Sequence, residues 1–497
     1  MAQREASASS TLPQAGSLTI LRRAVCAVVV ACSFAISLAY VGPSHGDDVF
    51  IYMRYAANLL QDGTIQYNLG EKSDGITSGA YFLIMSGIAL LFGNVLVVWK
   101  MASACFYAAA IGIFFWATSK NQKRLEVSAL LASTLALEPH LLRWSATGMD
   151  NSLVAFVLCL GLLLHVTRTE GLRSSFAVGI FWGGLFLIRP ELLLFSAAYI
   201  GLAMWSKRKE AVYMAAGALA SAVTGVLLSY LATGFVVPET SSAKAIFLEQ
   251  PLNWPFLRTL SLIIISGSTV SAVVALALAR VSPRVAHWCV ATFAFVLLVC
   301  AYLVYQHALV STRYATSLSF PLLLAALYSV GEYLKSPRPP RMSRVLLASA
   351  SLQMAAAALT LWYFFPFTRV SEEAPIREFS QSVNSRTMPG DRIALSEIGV
   401  FGFYSNRYIV DIFGLVDPKT LEWGREHGTP NTTELLEQLL MYRGADYYVC
   451  AFCKATTDVA GQKVRFEPVY SQSIRSGNQS KGRFVEDRLW VLYRLHY

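Results

Sequence analysis

Charge is scarce in this 497-residue chain: Asp, Glu, Lys and Arg together make up 14% of it, against about 25% in an ordinary soluble protein. That shortage excludes a soluble globular class. Cysteine gives no metal framework. Cys26, Cys32, Cys105, Cys159, Cys289 and Cys300 lie inside apolar runs and read as small core residues, and a lone Cys450-Ala451-Phe452-Cys453 has no second pair to complete a zinc site. On an oxidising side Cys450 and Cys453 can form a disulfide. No Rossmann or P-loop pattern, internal repeat or long low-complexity tract occurs.

What is abundant is apolar sequence, with 55% hydrophobic residues and a mean hydropathy of +0.47. The repeated apolar runs predict a helical integral membrane protein. The net charge of +10 does not point to nucleic acid, because the basic residues cluster in short loops at 119–124, 207–209, 280–284 and 335–344. Positive-inside bias accounts for that pattern.

In chain order, residues 1–18 read as a cytosolic tail and 19–365 as the membrane domain, with a first extracytoplasmic loop at 42–78. The run from Arg22 to about Val41 imitates a signal peptide, with Ser37-Leu38-Ala39 as a cleavage site, but it is long enough for a retained first helix. Later runs near 99–118, 126–138, 151–167, 174–188, 191–205, 211–231, 257–279, 286–306, 314–334 and 343–365 bring the expected total to about 11 transmembrane helices. Alternation puts every basic loop inside. It puts Thr147–Asn151, Arg189–Glu191, 234–255 and 307–313 outside. The parity works only if 77–97 does not cross, so that run is expected to be interfacial or re-entrant, broken near Gly93-Asn94. Residues 366–497 regain charge, glycine and asparagine and predict a small extracytoplasmic α/β domain. Its expected strands are Arg392–Leu395, Tyr408–Asp411, Asp446–Cys450 and Arg488–Leu495. Its expected helices are Ser396–Phe403 and Thr432–Tyr442.

The stretch His45–Ser78 carries the densest polar pattern. Asp47 and Asp48 open a short helix whose Val49, Met53, Ala56 and Leu60 share a face, as in a helix lying in the membrane interface. A carboxylate there can act as a general base on a sugar hydroxyl or hold a divalent cation; it can equally be a helix cap. Arg54, two turns on, can bind phosphate or pair with an acid. Asp150 can cap the helix at Asn151, and Arg189 can pair with Glu191 across Pro190. His307 reads as structural on its own. Arg54, Arg143, Arg189, Lys244 and Arg313 are nevertheless cations on outside segments, against positive-inside bias, and a phosphate arriving from that side explains them.

The pattern Asp47-Asp48-x-Phe50-Ile51-x-x-Arg54-Tyr55-Ala56-x-Asn58-Leu59, with Gly63, Tyr67-Asn68-x-Gly70-Glu71 and Gly75-x-Thr77-Ser78, resembles the GT-C superfamily of polyprenyl-phosphate-sugar glycosyltransferases. It is most similar in look to the mycobacterial terminal arabinofuranosyltransferase type. Ser145–Asp150, Arg189-Pro190-Glu191, Ser396-Glu397-Ile398-Gly399 and Asp411-x-x-Gly414-Leu415 extend the resemblance along the chain. Pro238-Glu239-Thr240 stands where that group tends to show P-N-T, and Ile76 replaces a usual aromatic; both bear on sugar identity.

The resemblance implies transfer from a polyprenyl-monophosphate sugar to a cell-envelope glycan or glycolipid outside a bacterial plasma membrane. Asp47 or Asp48 would be the base, usually with inversion. Arg54, Tyr55, Asn58, Asn68, Glu71, Asp150, Arg189, Glu191, Lys244, His307 and Arg313 would line the donor site. No cofactor and no nucleic acid is implied, although a divalent cation fits the acids. The competing classes are a transporter or flippase of a lipid-linked or anionic solute, a polysaccharide ligase or polymerase, and a non-catalytic scaffold. A transporter would carry repeated broken helices.

Overall fold

The computed structural model describes residues 15–120, 125–236, 238–247, 282–305, 314, 317–335, 355, 357–363, 365, 368, 370–453, 463–477 and 485–497. The helices of the membrane region are α1 (Ala15–Val41), α2 (Asp48–Asp62), α3 (Gly79–Phe92), α4 (Leu96–Ser119), α5 (Leu125–Ala136), α6 (Pro139–Trp144) and α7 (Asn151–Thr167). They continue with α8 (Leu172–Gly184), α9 (Leu192–Ser206), α10 (Arg208–Thr233), α11 (Glu239–Phe247), α12 (Pro283–Tyr305) and α13 (Ser319–Leu334). Among the described residues, α1, α4, α10 and α12 are long and apolar enough to cross a membrane, and six shorter apolar helices pack with them. The apolar run at 257–279 and most of 343–365 lie outside the described residues.

Tight packing in this region depends on residues without side chains. A Cβ on Gly179 or Gly183 of α8 would sit 2.1 or 2.0 Å from the Met214 or Ala218 carbonyl oxygen of α10. The two backbones therefore touch along a small-residue seam, the usual solution where lipid removes the hydrophobic drive between helices.

Run 77–97 breaks where the sequence predicts. Helix α3 ends at Gly93, whose φ of +93° favours glycine, and Asn94 separates it from α4. The 14 residues of α3 reach about 21 Å, short of a ~30 Å hydrocarbon core. Both of its ends return to α2. The Ser78 amide donates to the Tyr52 hydroxyl at 3.1 Å, and Asn94 Nδ2 donates to the Met53 carbonyl at 2.8 Å. Helix α3 therefore lies alongside α2, with Leu83, Ile84, Leu90, Leu91 and Phe92 exposed as an apolar face.

The basic loops gather at the far ends of the helices that leave this region. Lys335 Nζ donates to the Lys120 carbonyl at 3.0 Å, at the end of α4 remote from Asn94. Past the end of α7, Arg168 pairs with Glu210, and Lys207 pairs with Glu170. His165 Nε2 meets the Arg284 carbonyl at 3.0 Å in the same place.

The C-terminal domain contains α14 (Glu373–Asn384), β1 (Arg392–Leu395), α15 (Val400–Ser405), β2 (Tyr408–Asp411), α16 (Pro418–His427), α17 (Thr433–Arg443), β3 (Tyr447–Cys453), β4 (Arg465–Gly477) and β5 (Val485–His496). Its sheet has the order β2-β1-β3-β5-β4, with β1 parallel to β2 and β3, and β5 antiparallel to β3 and β4. Cys450 and Cys453 are disulfide-bonded at a register shift in β3. Strand β4 and helices α14 and α16 were not among the expected elements. β4 is an edge strand rich in Ser, Gln and Arg and interrupted at Pro468, so its alternation of apolar and polar residues is faint.

Candidate functional site

Helix α2 is the hub. Val49, Phe50, Ile51, Tyr52, Met53, Tyr55 and Ala56 are all buried, so it is enclosed by protein on most sides. Its apolar stripe is continuous with the core, and Leu60 at its end is the exposed member of the Val49, Met53, Ala56 and Leu60 face. The C-terminal domain sits over the start of α2, and the loop 144–150 packs beneath it. A Cβ on Gly46 would sit 2.9 Å from Met149, and one on Gly148 would sit 2.8 Å from Val49.

Asp47 does not cap its own helix. Its Oδ2 accepts the Gly399 amide at 3.0 Å and its Oδ1 accepts the Val400 amide at 2.9 Å, so it closes the N-terminus of α15 in the other domain. Those orphan amides and the helix dipole favour the carboxylate. Burial opposes it and dominates, and Asp48 and Glu372 add like charge, so Asp47 is held above the ordinary carboxylate range. Glu397, two residues before the capped amide, is raised for the same reasons: burial first, then the Asp47 and Glu372 charges, offset by Arg488. Gly399 is required here, because a Cβ would lie 2.3 Å from Asp47 Oδ2.

Arg54 is a clamp between domains. Nε donates to the Tyr67 carbonyl at 2.8 Å, Nη1 to the Gly402 carbonyl at 2.5 Å, and Nη2 to Asn68 Oδ1 at 3.1 Å and the Arg407 carbonyl at 2.8 Å. The guanidinium also lies 4.3 Å from the Tyr67 ring centroid. Four of its five N–H groups are thus committed to neutral acceptors.

The neighbouring motif residues serve the same joint. Asn68 donates to the Ile409 carbonyl at 2.8 Å and accepts the Ile409 amide at 3.0 Å, extending the free edge of β2. Glu71 takes the Tyr408 hydroxyl and lies 3.6 Å from Arg443. Tyr55 accepts the Gly75 amide at 2.9 Å and bonds Ser73, and Asn58 donates to the Gln66 carbonyl at 2.7 Å; both shape the loop.

A second polar centre lies under α2. Arg189 holds Asp150 through two bonds, Nε to Oδ2 at 2.8 Å and Nη2 to Oδ1 at 2.7 Å, while Glu191 stands at 3.4 Å. The Asp150 side chain makes no cap bond to α7; the Arg189–Glu191 pair expected from the sequence is present, and a buried bidentate pair with Asp150 joins it. The Tyr52 hydroxyl bonds Thr77 Oγ1 at 2.9 Å, and Asp150 and Arg189 are among the charges that act on it.

Lys244 is half-buried on α11. Helix α11 packs on α16, where a Cβ on Gly424 would collide with Phe247 at 2.0 Å. His307 and Arg313 lie outside the described residues.

Sequence reasoning did not single out Glu372 or Lys100, and it quoted Glu397 only within the motif that opens the C-terminal domain. Lys100 donates to the Gly42 and Ser44 carbonyls at 2.6 Å each, between α1 and α2. A lone lysine inside the apolar run Val98-Trp99-Lys100-Met101 was the available signal. Among the described residues, no three His, Cys, Asp or Glu side chains are grouped to hold a metal.

Gly399→Ala should weaken docking of the C-terminal domain, since the methyl must displace the Asp47 carboxylate. The expected loss is about 1–3 kcal/mol, from overpacking and a buried carboxylate stripped of donors. It is read as a lower unfolding midpoint and faster proteolysis between the domains; unchanged values would contradict the capping role.

Acidification should stabilise the protein. Burial raises Asp74 to about 6, and Glu239 and Asp411 to about 7. A carboxyl whose folded pKa is raised binds its proton more readily in the native state, so its contribution is full below the unfolded pKa and fades as pH rises through the folded one. The thermal midpoint of the full chain should therefore be higher at about pH 5.5 than at about pH 8. The opposite order would show that these carboxyls do not govern stability.

With this geometry in place, comparison with known proteins shows the following. The profile of a domain of unknown function (DUF8728) matches residues 368–492. No curated protein matches the chain. Among solved structures, ArnT from Cupriavidus metallidurans in the apo state is 12% identical, with 97% of this chain and 98% of that chain covered at a TM-score of 0.58. The same protein bound to undecaprenyl phosphate gives 0.54 at the same identity and coverage. The apo oligosaccharyltransferase from Archaeoglobus fulgidus is 11% identical, with 86% and 69% covered at 0.52. Both proteins are GT-C glycosyltransferases, and what they share with this chain is the fold.

Proposed function

We propose that this chain, which has the GT-C fold, is a membrane glycosyltransferase that takes a sugar from a polyprenyl-monophosphate donor outside the plasma membrane of a bacterium. The acceptor is a cell-envelope glycan or glycolipid, and the sugar is arabinofuranose or another pentose or hexose. The observation that carries this reading is the acid pair at the start of α2. It stands above the Asp150–Arg189 pair and beneath a docked extramembrane domain, in a fold shared with ArnT, which is solved bound to undecaprenyl phosphate.

Asp47 is the general base. It is oriented by two amides, and a desolvated carboxyl near neutrality has the proton affinity that base catalysis needs. It takes the acceptor hydroxyl proton while that oxygen attacks the anomeric carbon and the lipid phosphate departs. Cations neutralise the charge that develops on the phosphate. Lys244 has this role, with Arg313 carried over from the sequence pattern; Arg189, whose charge Asp150 and Glu191 already meet, holds the site beneath α2 instead. Arg54 is removed from this role, because its donors are spent on the domain clamp.

The test uses membranes containing the full chain, decaprenyl- and undecaprenyl-phosphate sugars and a glycan acceptor. Transfer of labelled sugar is the expected result. Movement of the lipid-linked sugar across the bilayer with no new glycosidic bond would replace this reading by transport.

A further inference from the structure

Helix α11, which carries Lys244, is tied down at both ends by different parts of the chain. At its start the Glu239 amide donates to the Asp74 carbonyl at 2.9 Å, and Glu239 Oε2 accepts the Asp74 amide at 3.0 Å. One residue thus takes both backbone groups of Asp74, and the same bridge satisfies an orphan N-terminal amide of α11. Glu239 and Asp74 are both buried, so water does not stand in for these bonds. The Asp74 carboxylate extends the joint. Its Oδ2 accepts the Thr233 hydroxyl at 3.3 Å, at the end of α10, and its Oδ1 accepts the Ile76 amide at 3.3 Å. The next residue, Gly75, donates its amide to the Tyr55 hydroxyl of α2 at 2.9 Å. A run of hydrogen bonds and adjacent residues therefore leads from α2 through Gly75 and Asp74 to the first turn of α11.

At the other end, Ala243 and Phe247 are buried with Leu421 of α16. Thr429 Oγ1 donates to the Ile246 carbonyl at 3.1 Å. That end is fixed to the C-terminal domain. Lys244 lies between the two anchors, about 7.5 Å along the helix axis from Glu239 and about 4.5 Å from Phe247. The Asp74 bridge refers its position to α2.

Resting on the glycosyltransferase reading, in which Lys244 meets the lipid phosphate, we propose that Glu239 is a positioning residue for Lys244: its two-bond bridge to Asp74 keys α11, and with it the ammonium group, to the site on α2. What the bridge requires of the side chain is an oxygen that accepts an N–H. A neutral amide at this position supplies the same acceptor, so Gln can replace Glu in this role. A side chain with no acceptor leaves a buried Asp74 amide without a partner and loosens the start of α11.

The experiment uses the full chain in nanodiscs and follows two quantities: transfer from undecaprenyl-phosphate sugar, and binding of undecaprenyl phosphate itself. Glu239→Ala should lower kcat/KM on the order of tenfold and weaken binding of the lipid phosphate, while Glu239→Gln stays within about threefold of wild type. The double variant Glu239→Ala/Lys244→Ala should be no worse than Lys244→Ala alone, because a lysine that is absent cannot be misplaced. Losses that multiply in the double variant overturn the proposal, since a glutamate that merely supports the fold acts independently of Lys244. A Glu239→Gln no better than Glu239→Ala, or unchanged lipid-phosphate binding in Glu239→Ala, also overturns it. If Glu239→Ala does not accumulate in the membrane, Glu239→Asp, one methylene shorter, is carried through the same cycle with the same expected losses. Absence of any transfer in wild type, with lipid-phosphate binding weakened equally by Glu239→Ala and Lys244→Ala, would instead overturn the glycosyltransferase reading and leave the keyed lysine standing.

Discussion

Asp47→Asn is expected to lower the rate of sugar transfer on the order of 10²–10⁴-fold. The amide cannot accept the acceptor proton, so the hydroxyl must attack without a base. The substitution also turns an N–H towards one of the two amides that Asp47 now caps, which costs about 1–2 kcal/mol of docking. The two effects separate experimentally, because undocking lowers the unfolding midpoint whereas loss of the base does not. Asp48→Asn keeps both capping bonds and should lose less activity than Asp47→Asn. If Asp48→Asn abolished transfer while Asp47→Asn left it intact, the base would be Asp48 and Asp47 purely a latch.

The second large effect concerns stability. Asp150→Ala should destabilise the membrane domain by about 3–5 kcal/mol, because it strands Arg189 as a buried charge. Arg189 and Asp150 have side-chain exposures of 9% and 1%, so water cannot take over the lost bonds. Glu191, at 3.4 Å and on the more exposed side, compensates in part. Replacing both members with apolar residues of similar size should cost much less than either single change. Detergent-resistant yield and thermal midpoint of the three variants measure this. A double variant no better than Asp150→Ala would show that the pair does more than neutralise itself.

The two predictions draw on different levels of legibility. The acid pair stands out in one dimension, as two adjacent carboxylates directly after an apolar run. The ion pair does not. Asp150 and Arg189 lie 39 positions apart, and each had a plausible neighbour in sequence, the α7 amides for one and Glu191 for the other. Nothing in composition ranks a distant partner above a near one. Arg54 is the clearest case. An outside cation on a short helix reads as a phosphate ligand or the partner of an acid, yet its acceptors at Gly402 and Arg407 come from about 350 residues further on. Glycines 399 and 402 were legible as small residues, but the carboxylate and tyrosine pressed against them were not.

Within the C-terminal domain, strands β1 and β2 were readable to the residue from short β-branched runs bounded by turn formers. β3 and β5 were foreshortened, and β4 was missed because an edge strand has one wet side and little apolar signal.

By itself the amino-acid sequence determined that this chain lives in a membrane, where its helices break, which loops are basic and where its carboxylates concentrate. These are properties of local composition and spacing, and hydration acts on them directly. Only the tertiary structure decided which polar groups serve chemistry and which hold the two domains together. A buried charge must find compensation, and the compensating atoms here come from segments the chain order keeps far apart.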